Sequence, residues 1–540
     1  AGALLFGCFP GRSWLCWNPL PRPYFDGGMR MNGILLAVPA LLPIVGGTAI
    51  LASGYGAGDE RTYRHLEIVV EGLVLLNSLL VALLIAGRSG MDNGLVLFKL
   101  YGNLTVRFKL DRMGSVFAGL VAFLWPLATL YSFEYMRHEK RRASFFAYYL
   151  MTYGVTIGIA FSGNLVTMYL FYELLTLVTF PLVLHPMTKE AMRASRKYLY
   201  YSIGGAAFAF IGLIFVLKYS ATGTTEFVPG GVLSLTAAEG DRGTLLFVYI
   251  LAFFGFGVKA AVFPCHGWLP KATVAPTPVT ALLHAVAVVK SGAFAILRFT
   301  YFSYGTEFLR GSEAQWVVMA AAMVTIIFGS TMAVKEIHWK RRLAYSTISN
   351  LSYILLGASM MSPLGLAAAL SHMVFHAFMK ICSFFCAGAV MHQTGKTYVY
   401  EVDGLAKKMP LTFGCLTVAS LSLMGIPLFA GFISKWNIAE AAFACGSLAL
   451  AGGSRMGILP YLGTAVILYS ALMTGVYMLT VLVRAYFPKA AAAAVKEEPY
   501  TDPNWMMMVP LLIFAAAVLV FGLYSGPLME LLTAIGGEAG

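Results

Sequence analysis

Charge is scarce in this sequence. Only 12% of its 540 residues are Asp, Glu, Lys or Arg, roughly half the share of a soluble domain, while 59% are hydrophobic. With a mean hydropathy of +0.75, a soluble globular fold is excluded. Cysteine is also sparse: there are 7, none in a C-x-x-C pair, so neither an iron–sulfur nor a zinc framework is expected. Cys382 and Cys386, one helical turn apart, read as small apolar packing. Nucleotide loops are missing too. GKT at 395–397 has six residues rather than four between Gly388 and Gly395, and a membrane helix rather than a strand precedes it. No Rossmann fingerprint, HExxH or nucleophile elbow stands out, so no cofactor is expected in this chain. The formal charge of +13 does not sit on a soluble domain, which argues against nucleic acid as a partner.

What the chain does have is apolar length. Segments of about 20 residues give about fourteen spans, near 31–53, 66–87, 112–136, 144–161, 165–184, 198–219, 244–264, 274–300, 314–334, 343–361, 364–391, 411–435, 464–487 and 505–525. The expected fold class is an all-α polytopic membrane protein. Of its Lys and Arg residues, about 21 fall on the side of the odd-numbered loops and about 13 on the other, so the loops at 137–142, 189–197 and 335–342 are expected to face the cytoplasm. Both termini are then non-cytoplasmic, in a cell inner (plasma) membrane. Between the second and third spans, Leu104, Val106, Phe108 and Leu110 alternate with polar residues, which predicts a short strand. Asp111 stands where an N-cap would open the third span.

Four lysines, Lys259, Lys290, Lys380 and Lys435, fall inside spans. Each costs roughly 2.5–3.5 kcal/mol at the bilayer centre, so each requires a functional reason. Pro264 follows Lys259, and Gly425 and Pro427 precede Lys435, which predicts broken helices beside buried cations. Paired interruptions in two halves point to two inverted five-helix repeats. The expected organisation is a tail of unknown role at 1–30, three helices with a hairpin at 31–142, repeats at 143–302 and 303–487, and a last helix and tail at 488–540. Glu173 is an acid near the middle of its span, with Thr176 and Thr179 on neighbouring turns. His372, His376 and Lys380 recur every fourth residue and line one helix face. Two histidines at that spacing can also bind zinc, but without a carboxylate or cysteine within a turn on that face, no metal site is expected. His284 lies about two turns before Lys290 and about 120° round the helix, so water would have to bridge them.

The run FPCHGWLPKATVAPTPVTALLHAVAVVKSG closely resembles the signature of the antiporter-like proton-pumping subunits shared by complex I, Mrp sodium/proton antiporters and membrane-bound hydrogenases. YLFYELLTLVTFPLV, KRRLAYSTISNLSYILLG, HMVFHAFMKICSFFCAGAV and GIPLFAGFISKW match in the same order. The resemblance implies a proton-translocating subunit of a larger respiratory or hydrogenase-type complex, with other membrane subunits as partners. It casts Glu173 as an acid that gates Lys259, and Lys290, His284, His376, His372 and Lys380 as a proton wire leaving at Lys435. A lysine at 435 resembles the Mrp and hydrogenase branch, where the most similar complex I relative in length has glutamate. Two rival readings are one subunit of a sodium/proton antiporter and, from another class, a structural membrane anchor with an inactive channel.

Overall fold

A computed structural model describes residues 33–53, 60–87, 94–488 and 500–539. The expected N-terminal tail lies outside them. The helices in chain order are α1 (Val38–Ala52), α2 (Glu60–Ala86), α3 (Arg112–Tyr135), α4 (Arg142–Ala160), α5 (Leu165–Leu184), α6 (Lys189–Tyr219) and α7 (Arg242–Gly257). After a turn-rich stretch come α8 (Thr277–Ala285), α9 (Val288–Arg298), α10 (Glu313–Lys335), α11 (Trp339–Ser359), α12 (Pro363–Thr394), α13 (Pro410–Met424), α14 (Ala430–Ala451), α15 (Ile458–Tyr486), α16 (Trp505–Leu523) and α17 (Gly526–Ala539). Among the described residues ten helical segments, with α8 and α9 counted together within Thr277–Tyr304, are long and apolar enough to cross a membrane, and α1, α7 and α13 are shorter apolar ones. The chain is a multi-pass membrane protein.

Short polar side chains start many of these helices. Asp111, Asn164, Thr188, Ser312 and Ser362 each accept a hydrogen bond from the backbone N–H three residues on, satisfying a donor that lipid could not. At the centre lies α12, buried from Gly365 to Val390, which packs against α8, α11, α13, α14, α16 and α17. Segment 526–539, expected to be a tail, is instead the helix α17 lying on α12. A side chain at Gly536 would meet the Pro363 carbonyl oxygen at 2.3 Å, so only glycine permits this approach.

The expected strand is one arm of an antiparallel hairpin, β1 (Leu95–Tyr101) and β2 (Leu104–Phe108). Asn164 at the start of α5 donates to the Thr105 carbonyl at 2.8 Å, and Arg107 pairs with Glu226, so the hairpin ties several connections together on one face. Asp111 then caps α3 as expected, accepting from Gly114 N at 2.7 Å. The same carboxylate receives both terminal nitrogens of the fully buried Arg298, at 2.5 and 2.6 Å. Burial favours protonation of Asp111, but the Arg298 charge and hydrogen bonds outweigh it and hold the carboxyl below its ordinary value.

The helix interruptions lie near, but not always at, the expected prolines. α7 ends at Gly257, before Lys259, and residues 258–268 run through turns that include Pro264. Pro264 thus sits inside an already non-helical stretch. Gly425 ends α13 in the left-handed region at φ 87°, and Pro427 lies in the link to α14, as expected. A third interruption was not foreseen. At Val286 and Ala287, both amides donate to the Leu282 carbonyl, a local widening of the helix that separates α8 from α9 and falls between His284 and Lys290.

Candidate functional site

The break after α7 frees Lys259 from helical geometry. Its side chain, 1% exposed, donates to the Tyr172 carbonyl at 2.8 Å and to Glu173 Oε1 at 3.4 Å, and its ammonium lies 3.3 Å from the centre of the Tyr172 ring. The acid and lysine expected to act together are therefore in contact. Glu173 is not sealed in the core, however: its side chain is 27% exposed, beside the outward-facing Leu170 and Leu177. Thr179 does not serve it either, since its hydroxyl pairs with Tyr198 at 2.7 Å. α9 passes directly behind Lys259, where a Cβ on Gly292 would lie 2.5 Å from Ala260 N.

Lys290, two residues into α9, projects into the core and meets His376 Nδ1 at 2.8 Å. His376 and His372 lie on one face of α12, with ring centres 5.7 Å apart. His372 Nδ1 pairs with Ser434 Oγ at 2.9 Å. Next in sequence is Lys435, whose ammonium donates to the carbonyls of Leu423 and Met424 at 2.7 and 3.1 Å. Those are among the last carbonyls of α13, left without helical partners because Gly425 ends the helix. The break thus supplies acceptors for the lysine, and Tyr353 covers both His372 and Lys435 with its ring. Gly431 lets α14 lie against the α13 backbone, with the Ser422 carbonyl 1.9 Å from where a Cβ would be.

Lys380 is on the expected face but not in this row. Its ammonium donates to Ser346 Oγ at 2.7 Å, and Tyr477 donates to the same oxygen at 2.6 Å. His284 is fully buried, its ring against Phe384 and neither nitrogen partnered among the described residues. Ser346, Tyr353, Ser434 and Tyr477 were not singled out in the sequence. One signal was available: Ser346, Thr347, Ser349, Asn350 and Ser352, all buried, form an unusually polar run for a membrane helix. Among the described residues, no three His, Cys, Asp or Glu side chains gather in a way that could hold a metal ion.

Broken membrane helices around a buried row of lysines and histidines define an antiporter-like membrane subunit. The family model "NADH:quinone oxidoreductase/Mrp antiporter, TM" matches residues 162–459, and that for the N-terminus of complex I chain 5 matches 101–146. The N subunit of the NADH-quinone oxidoreductase of Desulforudis audaxviator is 32% identical over 433 residues, covering 78% of this chain and 82% of that one. The A/B subunit of a probable K(+)/H(+) antiporter of Rhizobium meliloti is 33% identical over 429 residues, 78% of this chain but only 40% of that longer protein. The fold matches a chain of the membrane-bound sulfane sulfur reductase, an archaeal respiratory membrane complex, with a TM-score of 0.79 and 23% identity, over 94% of this chain and 98% of that one. This chain belongs to the family of membrane subunits shared by NADH:quinone oxidoreductases and Mrp antiporters. Its relatives fall in both branches.

Proposed function

We propose that this chain translocates protons as one membrane subunit of a larger complex, along the row Glu173, Lys259, Lys290, His376, His372 and Lys435. The observation that carries this reading is the 2.8 Å contact between Lys290 and His376, because an ammonium and a neutral imidazole nitrogen form a donor–acceptor pair across which a proton can pass. One ring nitrogen each of His372 and His376, and both of His284, are buried without a partner among the described residues. Buried polar atoms are usually satisfied, so bridging water at these positions supports a hydrated path.

At 3.4 Å, Glu173 attracts the Lys259 ammonium by about 5 kcal/mol at an effective dielectric of 20. Moving or protonating Glu173 therefore favours release of the lysine proton toward Lys290. Because Glu173 lies at the surface, a neighbouring membrane subunit can control it. Lys380, held by Ser346 and Tyr477, branches from the row and serves as a side connection toward the loop at 335–342, which we assign to the cytoplasm from its basic residues. In this reading α7 with the turns after it, α8 with α9, and α13 with α14 each form one broken span. That count gives fourteen spans, with both termini non-cytoplasmic and the two five-helix repeats inverted about the row. Sodium would need several oxygen ligands, whereas this row offers mainly nitrogen, so protons are the favoured cargo.

The test is proton uptake by the reconstituted complex carrying His376→Leu, which removes the acceptor next to Lys290 at similar volume. Uptake is expected to fall on the order of 100-fold. Wild-type uptake by that variant would refute the row, and uptake that depends on sodium would favour the antiporter reading.

A further inference from the structure

Away from the row, α2 carries polar groups of its own. Glu67, Glu71 and Ser78 lie within about 40° of one another around that helix, so they form one stripe. Glu67 is at the mouth: with Glu134 near the end of α3 and Arg142 at the start of α4, it lines a cavity of about 600 Å³. Glu71 lies one turn deeper, about 6 Å along the axis. α4 leaves the mouth beside α2 and in the same direction, from Arg142 to Tyr149 and Tyr153, and the Tyr153 hydroxyl meets Ser78 Oγ at 2.8 Å. Trp125 of α3 packs on both tyrosines, its ring centre 5.3 Å from that of Tyr149 and 4.8 Å from that of Tyr153. From Glu67 to Ser78 is about 16 Å, close to half the thickness of a hydrocarbon core. A lane of polar side chains therefore leads from the mouth to mid-membrane.

This lane is short of protein partners. Glu71 Oε2, the Tyr149 hydroxyl, Trp125 Nε1 and both polar side-chain atoms of Asn77 are buried without a hydrogen-bond partner among the described residues. Asn77, Trp125 and Tyr149 are fully buried. Buried polar atoms are ordinarily satisfied, by water where protein does not serve, and the mouth cavity can supply it. No cation among the described residues compensates Glu71. α1 brings no titratable side chain, and α3 commits Tyr131 and Tyr135 to the Phe385 carbonyl and to Thr277. Arg137, Glu134 and Arg142 stay at the mouth with Glu67, and the hydroxyl that feels the Glu71 charge is that of Tyr149. Without a cation, an apolar setting suits a carboxyl carrying its proton better than a bare anion. We propose that Glu71 is a second proton-binding site, separate from the row, which exchanges its proton with the mouth cavity past Glu67 and is hydrated as far as Asn77 and Tyr153. The lane stops there, because the cavity next to Ser78 is lined by Val81, Ala82, Ile85 and Phe123, which offer a proton no acceptor. The site thus binds and returns a proton on one side of the membrane rather than passing it across.

The experiment treats the purified complex with dicyclohexylcarbodiimide, which adds whole to a protonated carboxyl in apolar surroundings and gives a stable N-acylurea. Mass spectrometry at neutral pH is expected to find Glu71 modified on the order of tenfold more than the exposed Glu139, and progressively less as pH is raised. Glu71→Gln should lose this adduct, which assigns it. Equal modification of Glu71 and Glu139 in the wild-type complex overturns the proposal, since it would mean that Glu71 is ionised and merely reaches back to the mouth. Protection by sodium or potassium, where choline at equal ionic strength gives none, also overturns it by marking a metal-cation site. Hydration is read separately by brief X-ray radiolysis, which makes hydroxyl radicals from water inside the protein. Trp125 and Tyr149 are expected to be oxidised despite their full burial. If both stay unmodified, the lane is dry and the proposal fails.

Discussion

Arg298 is fully buried at the end of α9, surrounded by Phe227, Phe294 and Phe302, and its charge partner is Asp111. Breaking such a pair from one side is asymmetric. Asp111→Asn preserves the α3 cap, since asparagine caps as well as aspartate, but strands a buried guanidinium; about 3–5 kcal/mol of stability is expected to be lost. Asp111→Ala removes the cap as well, adding about 1 kcal/mol. Arg298→Leu removes the buried charge instead, and Asp111, 29% exposed, keeps the cap and can be hydrated, so the loss is expected to be smaller. Arg298 lies eight residues beyond Lys290 on the same helix, about 12 Å, so loosening this anchor is also expected to reduce uptake by displacing the Lys290–His376 contact. Thermal unfolding of the detergent-solubilised protein should rank the variants, from most to least stable, as wild type, Arg298→Leu, Asp111→Asn and Asp111→Ala. The pH dependence follows from a carboxyl held below its ordinary value: its contribution is complete above about pH 4–5 and is lost as pH falls through the lower folded value. The gap between wild type and Asp111→Asn should therefore be constant from about pH 5 to 8 and narrow only in stronger acid. Arg298→Leu proving more damaging than Asp111→Asn would refute this account of the pair.

Three other outcomes are expected. Glu173→Gln and Lys259→Ala each abolish proton uptake, and the double variant loses little more than either; losses that multiply would mean that the contact at 3.4 Å is not a functional unit. Lys435→Arg keeps a cation over the Leu423 and Met424 carbonyls and should assemble with near-normal stability yet fail to pump, whereas Lys435→Met should lose about 1–3 kcal/mol of stability as well. Full pumping by the arginine variant would remove Lys435 from the row. Lys140→Cys, on a background without accessible native cysteines, should resist a membrane-impermeant thiol reagent in intact cells; labelling from outside would invert the topology.

Much of the candidate site was legible in the sequence because charge inside an apolar span is costly and therefore conspicuous. Glu173, the four lysines and the histidines of α12 announced themselves by type and spacing, and Gly425 and Pro427 marked a break by backbone chemistry alone. The hairpin and the Asp111 cap were equally local, resting on a period of two and on one capping position. Contacts between segments distant in sequence were decided only by tertiary packing. Nothing in the spacing could show that Lys290 meets His376 while Lys380 turns aside to Ser346, or that Arg298 would find Asp111 across 187 residues. Serine and tyrosine raise little alarm in a membrane helix, so the parts played by Ser434, Ser346 and Tyr477 became visible only once packing brought His372 to Ser434, Lys380 to Ser346 and Tyr477 to the same serine. The widening at Val286 and Ala287 carries no glycine or proline to betray it. Residues 526–539 read as a tail for a related reason: they are short, and their helix is stabilised by burial on α12 rather than by length or apolarity of its own.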